Sequence, residues 1–437
     1  MDNNEALAHA AGLANRHGLP LLVAESLSFA DPQASDRHHT FVLEGVPGME
    51  AALRQRGIGY CFCLRRNDTE PEVLPALLAD AAVVVTDDFP TPWVRQETER
   101  LAGKLPIEVH QVDASCIVPM RRMEKKQYAA YTIRPRIHRL LPEYLKPQAE
   151  WHVDKPWKGA PPAGHVAVTE ANIPELVASC NIDHTVPPST SFRGSRSHAL
   201  AHLERFLQER LARYDQERNE PCNHATSTLG PYLHHGRVGA LEVALAVRSY
   251  AEEHRLIPDA FLEEMIVRRE LAYNHAFYAE QPDSLEHIPG WAQETLRVHA
   301  RDERNPCYSY QQFEDAHTYD ALWNATQKEL RLRGSIHGYY RMYWGKKIID
   351  WSASPEAALR TMLRLHERFA LDGGDPNTYT NILWCFGLHD RPWMERPIFG
   401  KVRYMALSGM QRKTNVNCYI HEIDQLALNR RDPVRVQ

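Results

Sequence analysis

The chain has no long apolar run, no glycine-rich dinucleotide fingerprint, no metal-spaced cysteine set and no internal repeat. No stretch approaches the roughly 20 apolar residues that cross a bilayer, so a helical span is excluded and no membrane partner is expected. The start, Met1-Asp-Asn-Asn-Glu5, is acidic and lacks the basic and apolar regions of a secretory leader. A cytoplasmic location is therefore expected. Of eight cysteines, Cys61 and Cys63 are the only close pair, and no second pair lies at zinc-ligand spacing. No metal site is expected, and the cysteines read as free thiols. The absence of G-x-G-x-x-G leaves dinucleotide binding in the first half without support.

What is there is ordinary in bulk and uneven in detail. The 437 residues suffice for two or three domains, 43% of them are hydrophobic, and the formal net charge is -5. Against that acidic balance, the stretch Gly387 to Lys413 holds six basic side chains and only two acids, Asp390 and Glu395. Aromatic residues interleave with the charges from Trp384 to Met405. A solvated charged face is one reading; a site for a polyanion with stackable rings, meaning nucleic acid, is the other.

Residues 1–120 alternate helical and strand patterns. Helices are expected at Ala6–His17, Phe41–Gln55, Glu70–Asp80 and Trp93–Gly103. Strands are expected at Leu19–Ala24, Ile58–Leu64, Ala82–Thr86 and Ile107–Val112. This alternation predicts a parallel sheet with helices on both faces. Residues 146–195 are proline-rich and read as an interdomain linker. From residue 196 the strand signals nearly vanish. Helices are expected at Ala199–Tyr214, Val238–His254, Ala260–Tyr278, Tyr319–Leu332, Gly338–Trp351 and Pro355–Phe369. The domains expected are thus 1–145 (α/β), the linker 146–195, and an all-α domain 196–437.

Four places carry candidate chemistry. Trp344 and Trp351 sit two turns apart on one helix face, about 10.5 Å along the axis, and antiparallel packing would bring Trp323 alongside. Three indoles in a row can relay electrons, yet aromatics at helical spacing usually form core. Glu264 lies in a mostly apolar helical stretch, where a carboxylate must be paired; Arg268 and Arg269 one turn on supply a local ion pair, and a functional role is the alternative. Thr226-Ser-Thr-Leu-Gly-Pro-Tyr232 suits a phosphate or ordinary helix capping. Leu371-Asp-Gly-Gly-Asp-Pro-Asn377 is a turn with two carboxylates, able to hold a ligand but common as a turn.

Together these segments resemble the photolyase/cryptochrome family, and within it the class II cyclobutane pyrimidine dimer (CPD) photolyases. The resemblance covers nearly the whole chain. It rests on His39-Thr-Phe-Val-Leu-Glu44, Tyr128-Ala-Ala-Tyr-Thr-Ile-Arg-Pro135, Leu229-Gly-Pro-Tyr-Leu-His234, the Glu264 helix, Tyr340-Arg-Met-Tyr-Trp344, the Asp372 turn and the Trp384–Met405 segment. It implies a Rossmann-like α/β N-terminal domain and an all-α C-terminal domain that binds FAD, active as FADH−. Tyr214, Thr226, Ser227, Thr228 and Leu229 would hold the phosphates and ribityl chain. Arg341 and Asp372 would pair beside the flavin ring, with His366, Asp375 and Asn377 nearby. Trp344, Trp323 and Trp351 would be the electron relay.

The resemblance further implies light-driven repair of UV-damaged DNA: a deoxyribodipyrimidine photo-lyase that flips the dimer out and splits it by electron transfer from the photoexcited cofactor. Glu264 would hydrogen-bond the dimer, and Met342 and Trp384 would contact it. Arg391 and Arg403 would fill or brace the hole in the duplex, with Lys401, Arg412 and Lys413 at the phosphates. No obligate protein partner is implied, and a monomer is expected. Three departures accompany the match. The sheet lacks the family's first strand, so an antenna chromophore gains little support. His366 stands where the family usually has Asn, which would make the charge there pH-dependent. Tyr273-Asn-His275 and His235 replace residues that are commonly Asp-Asn-Phe and Phe. The rival expectation is a cryptochrome-like flavin photoreceptor or redox sensor without repair.

Overall fold

The computed structural model describes residues 3–431. In the first half, α1 (Glu5–His17) is capped by the Asn4 side chain and ends at Gly18 in the left-handed region. It leads into β1 (Leu22–Ser28), α2 (Asp36–Gln55), β2 (Gly59–Arg65), α3 (Val73–Ala79), β3 (Val84–Asp87), α4 (Pro92–Ala102) and β4 (Val109–Val112). The expected α/β alternation is present. α2 starts earlier than its apolar pattern predicts because Ser35 caps it, which draws Arg37, His38 and His39 into the buried face.

The strands form two parallel pairs instead of one continuous sheet. β1 runs beside β2 from Leu22↔Gly59 to Ser28↔Arg65, and β3 beside β4 from Val84↔Val109 to Asp87↔Val112. Among the described residues no strand joins the pairs. Six of the seven residues of β2 are buried, whereas β3 is only half-buried.

The proline-rich segment packs down as part of the α/β half. The Val166 N–H donates to Phe62 O at 2.8 Å, covering the outer edge of β2. Val168, Ile173, Val177 and Cys180 share a core with Leu43, Tyr60 and Phe62. Residues 117–137, including much of α5 (Ala130–Tyr144), pack instead with the helical half.

In the second half, helices Gly338–Trp351 and Pro355–Phe369 fall where the 3.6-residue pattern places them. Two expected helices are interrupted. Residues 206–210 and 263–268 form π-turns, so Ala199–Tyr214 and Ala260–Tyr278 are each broken by a wide turn. The helix Pro376–Cys385, with Pro376 in its first turn, and the long helix Val416–Arg431 complete the bundle. Cys222 and Cys418, 196 residues apart, form a disulfide, which corrects the expectation that all eight cysteines are free.

Buried polar contacts tie the halves together. Arg37 donates to the carbonyls of Leu330 (3.1 Å), Phe369 (2.6 Å), Arg331 (2.5 Å) and Pro187 (3.2 Å). Arg237 reaches Val42 O at 2.8 Å, passing so close to Gly45 that a Cβ there would lie 2.2 Å from its guanidinium carbon. Glu270, fully buried, accepts the Ile117 and Val118 amides at 2.7 and 3.1 Å.

Candidate active site

The helix Gly338–Trp351, the helix Pro355–Phe369 and the turn 371–375 converge on Arg341, His366 and Asp372. Arg341 Nη2 meets Asp372 Oδ2 at 3.4 Å, so the pair expected from sequence forms. The turn is held by the Thr378 hydroxyl, which donates to Asp372 O at 2.8 Å. The hydroxyl loop Thr226–Leu229 lies against the same pair: a Cβ on Gly230 would sit 3.3 Å from Asp372 Oδ2. Thr228 adopts φ 56° and its hydroxyl contacts His202 Nδ1 at 2.8 Å, while Arg210 donates to Thr226 O at 3.0 Å.

Several polar atoms here are buried and have no protein partner. They are both ring nitrogens of His366, Asp372 Oδ1 and Arg341 Nε. A buried unsatisfied group costs about 1–3 kcal/mol, so a cluster of them marks a place where a ligand supplies the missing donors and acceptors. Donors and acceptors both occur, which suits a heteroaromatic ring edge and fits a flavin. His366 is 0% exposed, and burial first, then the Arg341 charge, pushes its pKa down to about 4. It is neutral at ordinary pH, and any charge change at this position is moved down toward pH 4.

Asp375 and Asn377 behave differently. Asp375 caps the helix Pro376–Cys385, accepting the Asn377 main-chain and side-chain N–H groups at 2.8 and 2.9 Å. Burial raises its pKa, but the His234 contact at 3.1 Å, the charges of His234 and Arg269 and the Asn377 amide outweigh this and hold it at about 2. Tyr214 packs edge-on to Phe206 and Phe261.

The three indoles come together. Trp323, Trp344 and Trp351 are 0, 1 and 2% exposed. Trp323 Nε1 donates to Trp344 O at 3.0 Å, Trp344 Nε1 to Gln327 Oε1 at 2.9 Å, and the rings of Trp323 and Trp351 are 6.0 Å apart. Tyr319, 65% exposed, lies 5.2 Å from Trp351, so the row reaches the surface.

Glu264 sits on the π-turn, exposed, and pairs with Arg218 at 3.3 Å. The local pair expected with Arg268 or Arg269 is corrected: Arg268 binds Glu263 at 3.4 Å, and Arg269 turns inward to the Tyr273 hydroxyl and Ser115 O. The extra residue of the wide turn rotates Glu264 away from those arginines. Arg218 also lies 5.6 Å over the Tyr214 ring. Met342 and Trp384 are half-buried.

Arg391, Lys401, Arg403, Arg412 and Lys413 form no ion pair among the described residues. Arg391 and Arg403 flank the Trp393 ring at 5.3 and 5.0 Å, and Trp393 and Met394 are exposed. Residues 393–401 form a hairpin, with Trp393 N–H to Lys401 O at 2.8 Å and Arg396 bridged to Gly400. His299 anchors it, with Nδ1 2.6 Å from Asp302 and Nε2 3.1 Å from Glu395. Sequence reading passed over Arg218, His299, Tyr319 and Trp393. Only Trp393, lying between two arginines of the basic run, carried a local signal.

Comparison with known proteins shows the family and the fold. A sequence model of the family described as DNA photolyase matches residues 1–154. The chain is 38% identical over 427 residues to a deoxyribodipyrimidine photo-lyase of Methanothermobacter thermautotrophicus, covering 96% of this chain and 91% of the relative. It is 37% identical to a protein of the same name from Oryza sativa subsp. japonica, covering 97% and 85%. An archaeal photolyase from Sulfolobus tokodaii, solved with two FAD molecules, shares the fold with a TM-score of 0.65 at 16% identity, covering 96% of this chain and 86% of that one.

Proposed function

The chain belongs to the DNA photolyase family, and from that premise we propose that it is a deoxyribodipyrimidine photo-lyase of the class II type, repairing cyclobutane pyrimidine dimers in UV-damaged DNA. The observation that carries the reading is the set of unpartnered buried atoms on Arg341, His366 and Asp372, on the helix that also carries Trp344 and Trp351 and on its neighbours. FAD held there as FADH− supplies a light-driven one-electron donor. Arg341 Nε and Asp372 Oδ1 offer it a donor and an acceptor, and neutral His366 offers one N–H and one lone pair. The Thr226–Leu229 loop and Tyr214 hold its phosphate side.

The other residues divide the remaining work. Trp344, Trp323 and Trp351 pass electrons between the surface at Tyr319 and the Arg341 end of the pocket. Glu264 engages Arg218 through Oε1 and turns Oε2 to the dimer, while Met342 and Trp384 pack against it. A dimer stacks and pairs poorly, so extruding it costs less than extruding normal bases. Arg391 and Arg403 brace the gap it leaves, and Lys401, Arg412 and Lys413 neutralise phosphates.

The test uses anaerobically reduced protein and UV-irradiated oligothymidine under blue light, following recovery of ultraviolet absorbance. Recovery that needs both light and protein is expected. No recovery with flavin bound would remove the repair reading in favour of a light or redox sensor. Glu264→Ala should lower repair about tenfold, the worth of one charge-assisted hydrogen bond, with flavin content unchanged.

A further inference from the structure

The most basic stretch of the chain is not the Trp384–Lys413 region. Between Arg121 and Arg139 there are seven lysines and arginines against one acid, Glu124. Neighbouring acids offset part of that charge: Asp88 on Arg121 at 2.9 Å, Glu143 on Arg122 at 3.1 Å, and Glu263 shared by Arg134 at 2.6 Å and Arg268. Glu124 lies 4.0 Å from Arg136. Lys125, Lys126 and Arg139 form no ion pair among the described residues. On the same face stand Tyr128 and Tyr131, 49 and 64% exposed, their rings 6.4 Å apart. Pro135 and His138 continue the exposed stripe at helical spacing along α5.

Single exposed aromatics are unremarkable on a soluble protein. Two adjacent ones among uncompensated cations are a different matter, and the patch is continuous with the candidate active site. His389 Nδ1 donates to Tyr128 O at 2.5 Å, two residues before Arg391. Arg134 holds Glu263, the neighbour of Glu264 on the π-turn. A ligand that spans from the hairpin to α5 must be long, polyanionic and tolerant of aromatic contact. A flexible acidic peptide would meet the charges but gives the tyrosines no flat partner; nucleic acid meets both.

We propose that Lys125, Tyr128, Tyr131 and Arg139 form a second DNA-contacting surface, which grips the duplex flanking the lesion while the helical half holds the lesion itself. The proposal rests on the DNA-repair reading above. Arg139 lies eight residues beyond Tyr131, about 12 Å along the helix, enough to reach beyond a single phosphate contact. The stretch leading into and along α5, which packs with the helical half, thereby takes part in DNA binding directly.

The test compares two DNAs over a range of salt: a long duplex with one central dimer, and a short single-stranded oligothymidine with one dimer. The variants are Lys125→Glu with Arg139→Glu, and Tyr128→Ala with Tyr131→Ala. The charge-reversal pair should weaken long-duplex binding at least tenfold and lower the salt slope by about 2, the loss of two phosphate contacts. The tyrosine pair should weaken duplex binding about threefold with the slope unchanged. Binding and light-driven repair of the short single strand should stay as in the unaltered protein.

Unchanged duplex affinity and slope in both variants would overturn the proposal. So would an equal loss on both DNAs, or a change in oligomeric state that marks the patch as a contact between copies. If the unaltered protein fails to bind and repair the short strand, it is the repair reading that falls, and this surface falls with it. All four side chains are exposed, so melting temperatures should hold across the set.

Discussion

The helix Gly338–Trp351 carries two regions that treat their polar atoms in opposite ways. Toward its C-terminal end, the indole row is closed: Trp323 and Trp344 each donate to a protein acceptor, and Tyr343 is bonded to Asp320. Toward its N-terminal end, Arg341 and its neighbours His366 and Asp372 keep buried atoms without protein partners. The same helix thus packs one region to completion and leaves the other short of donors and acceptors. The first is finished by folding alone; the second is finished by what binds to it.

The sharpest way to break that contrast is inside the closed region. Trp344→Phe should abolish photoreduction of the oxidised flavin, followed by absorbance under blue light with an external reductant. Repair by chemically reduced protein should largely persist. Photoreduction that survives would show that the indoles are core and nothing more. The substitution also leaves Gln327 Oε1 unpartnered, a cost of about 1–3 kcal/mol that a melting curve should register.

In the open region, Asp372→Asn removes the charge facing Arg341 and should lower flavin affinity at least tenfold, read from the flavin retained after dialysis. If the pocket serves no ligand, the variant should change stability alone and leave flavin content as it was.

Acid sharpens the comparison further. His39 and His275 are pushed down to about 3, and His337, His366 and His389 to about 4, in each case chiefly by burial. The unfolded chain takes up protons near pH 6.5 that these sites refuse. Their contribution is complete above pH 6.5 and is lost as the pH falls toward 4, on the order of 3 kcal/mol for His366 alone. The melting temperature should fall steeply across that window. Bound flavin should lessen the fall only through His366, so His366→Asn should remove that flavin-dependent part.

The smallest effect concerns the hairpin. His299 is raised, first by its hydrogen bond to Asp302 and then by Glu395, so its hold on both carboxylates is complete below pH 6.5 and is lost as the pH rises through the raised value. His299→Gln should flatten the pH dependence of DNA affinity and weaken binding about twofold below pH 6.5. An unchanged pH profile would make His299 a bystander.

How much of this was legible depended on whether a residue's partner lay close in sequence. Helices Gly338–Trp351 and Pro355–Phe369 could be read because one apolar stripe runs unbroken along each. The π-turns could not, because an inserted residue leaves hydrophobic periodicity almost unchanged while rotating Glu264 away from Arg268 and Arg269. The helix Pro376–Cys385 hid behind Gly-Gly-Asp-Pro, which spells a turn until Asp375 is seen as a cap and Pro376 as a first-turn residue. The Arg341–Asp372 pair came only through family resemblance, since nothing local joins positions 31 apart. The Cys222–Cys418 disulfide had no signal at all. The burial of the proline-rich segment against β2 had no signal either, because its partners lie about a hundred residues away.

One contact has a bearing on how the chain is made. Arg37 is separated by 293 residues from Leu330 and by 332 from Phe369, whose carbonyls it binds at the ends of two helices. During synthesis α2 emerges long before either helix exists, so its guanidinium begins in water and is dehydrated only when the final third of the chain arrives. The negative ends of those helices then supply the field that the charge has been missing. Arg37 is therefore a clasp that closes late. A nascent chain halted before residue 369 carries an α/β half that is already shaped but not yet fastened, open at the face where the two halves will meet.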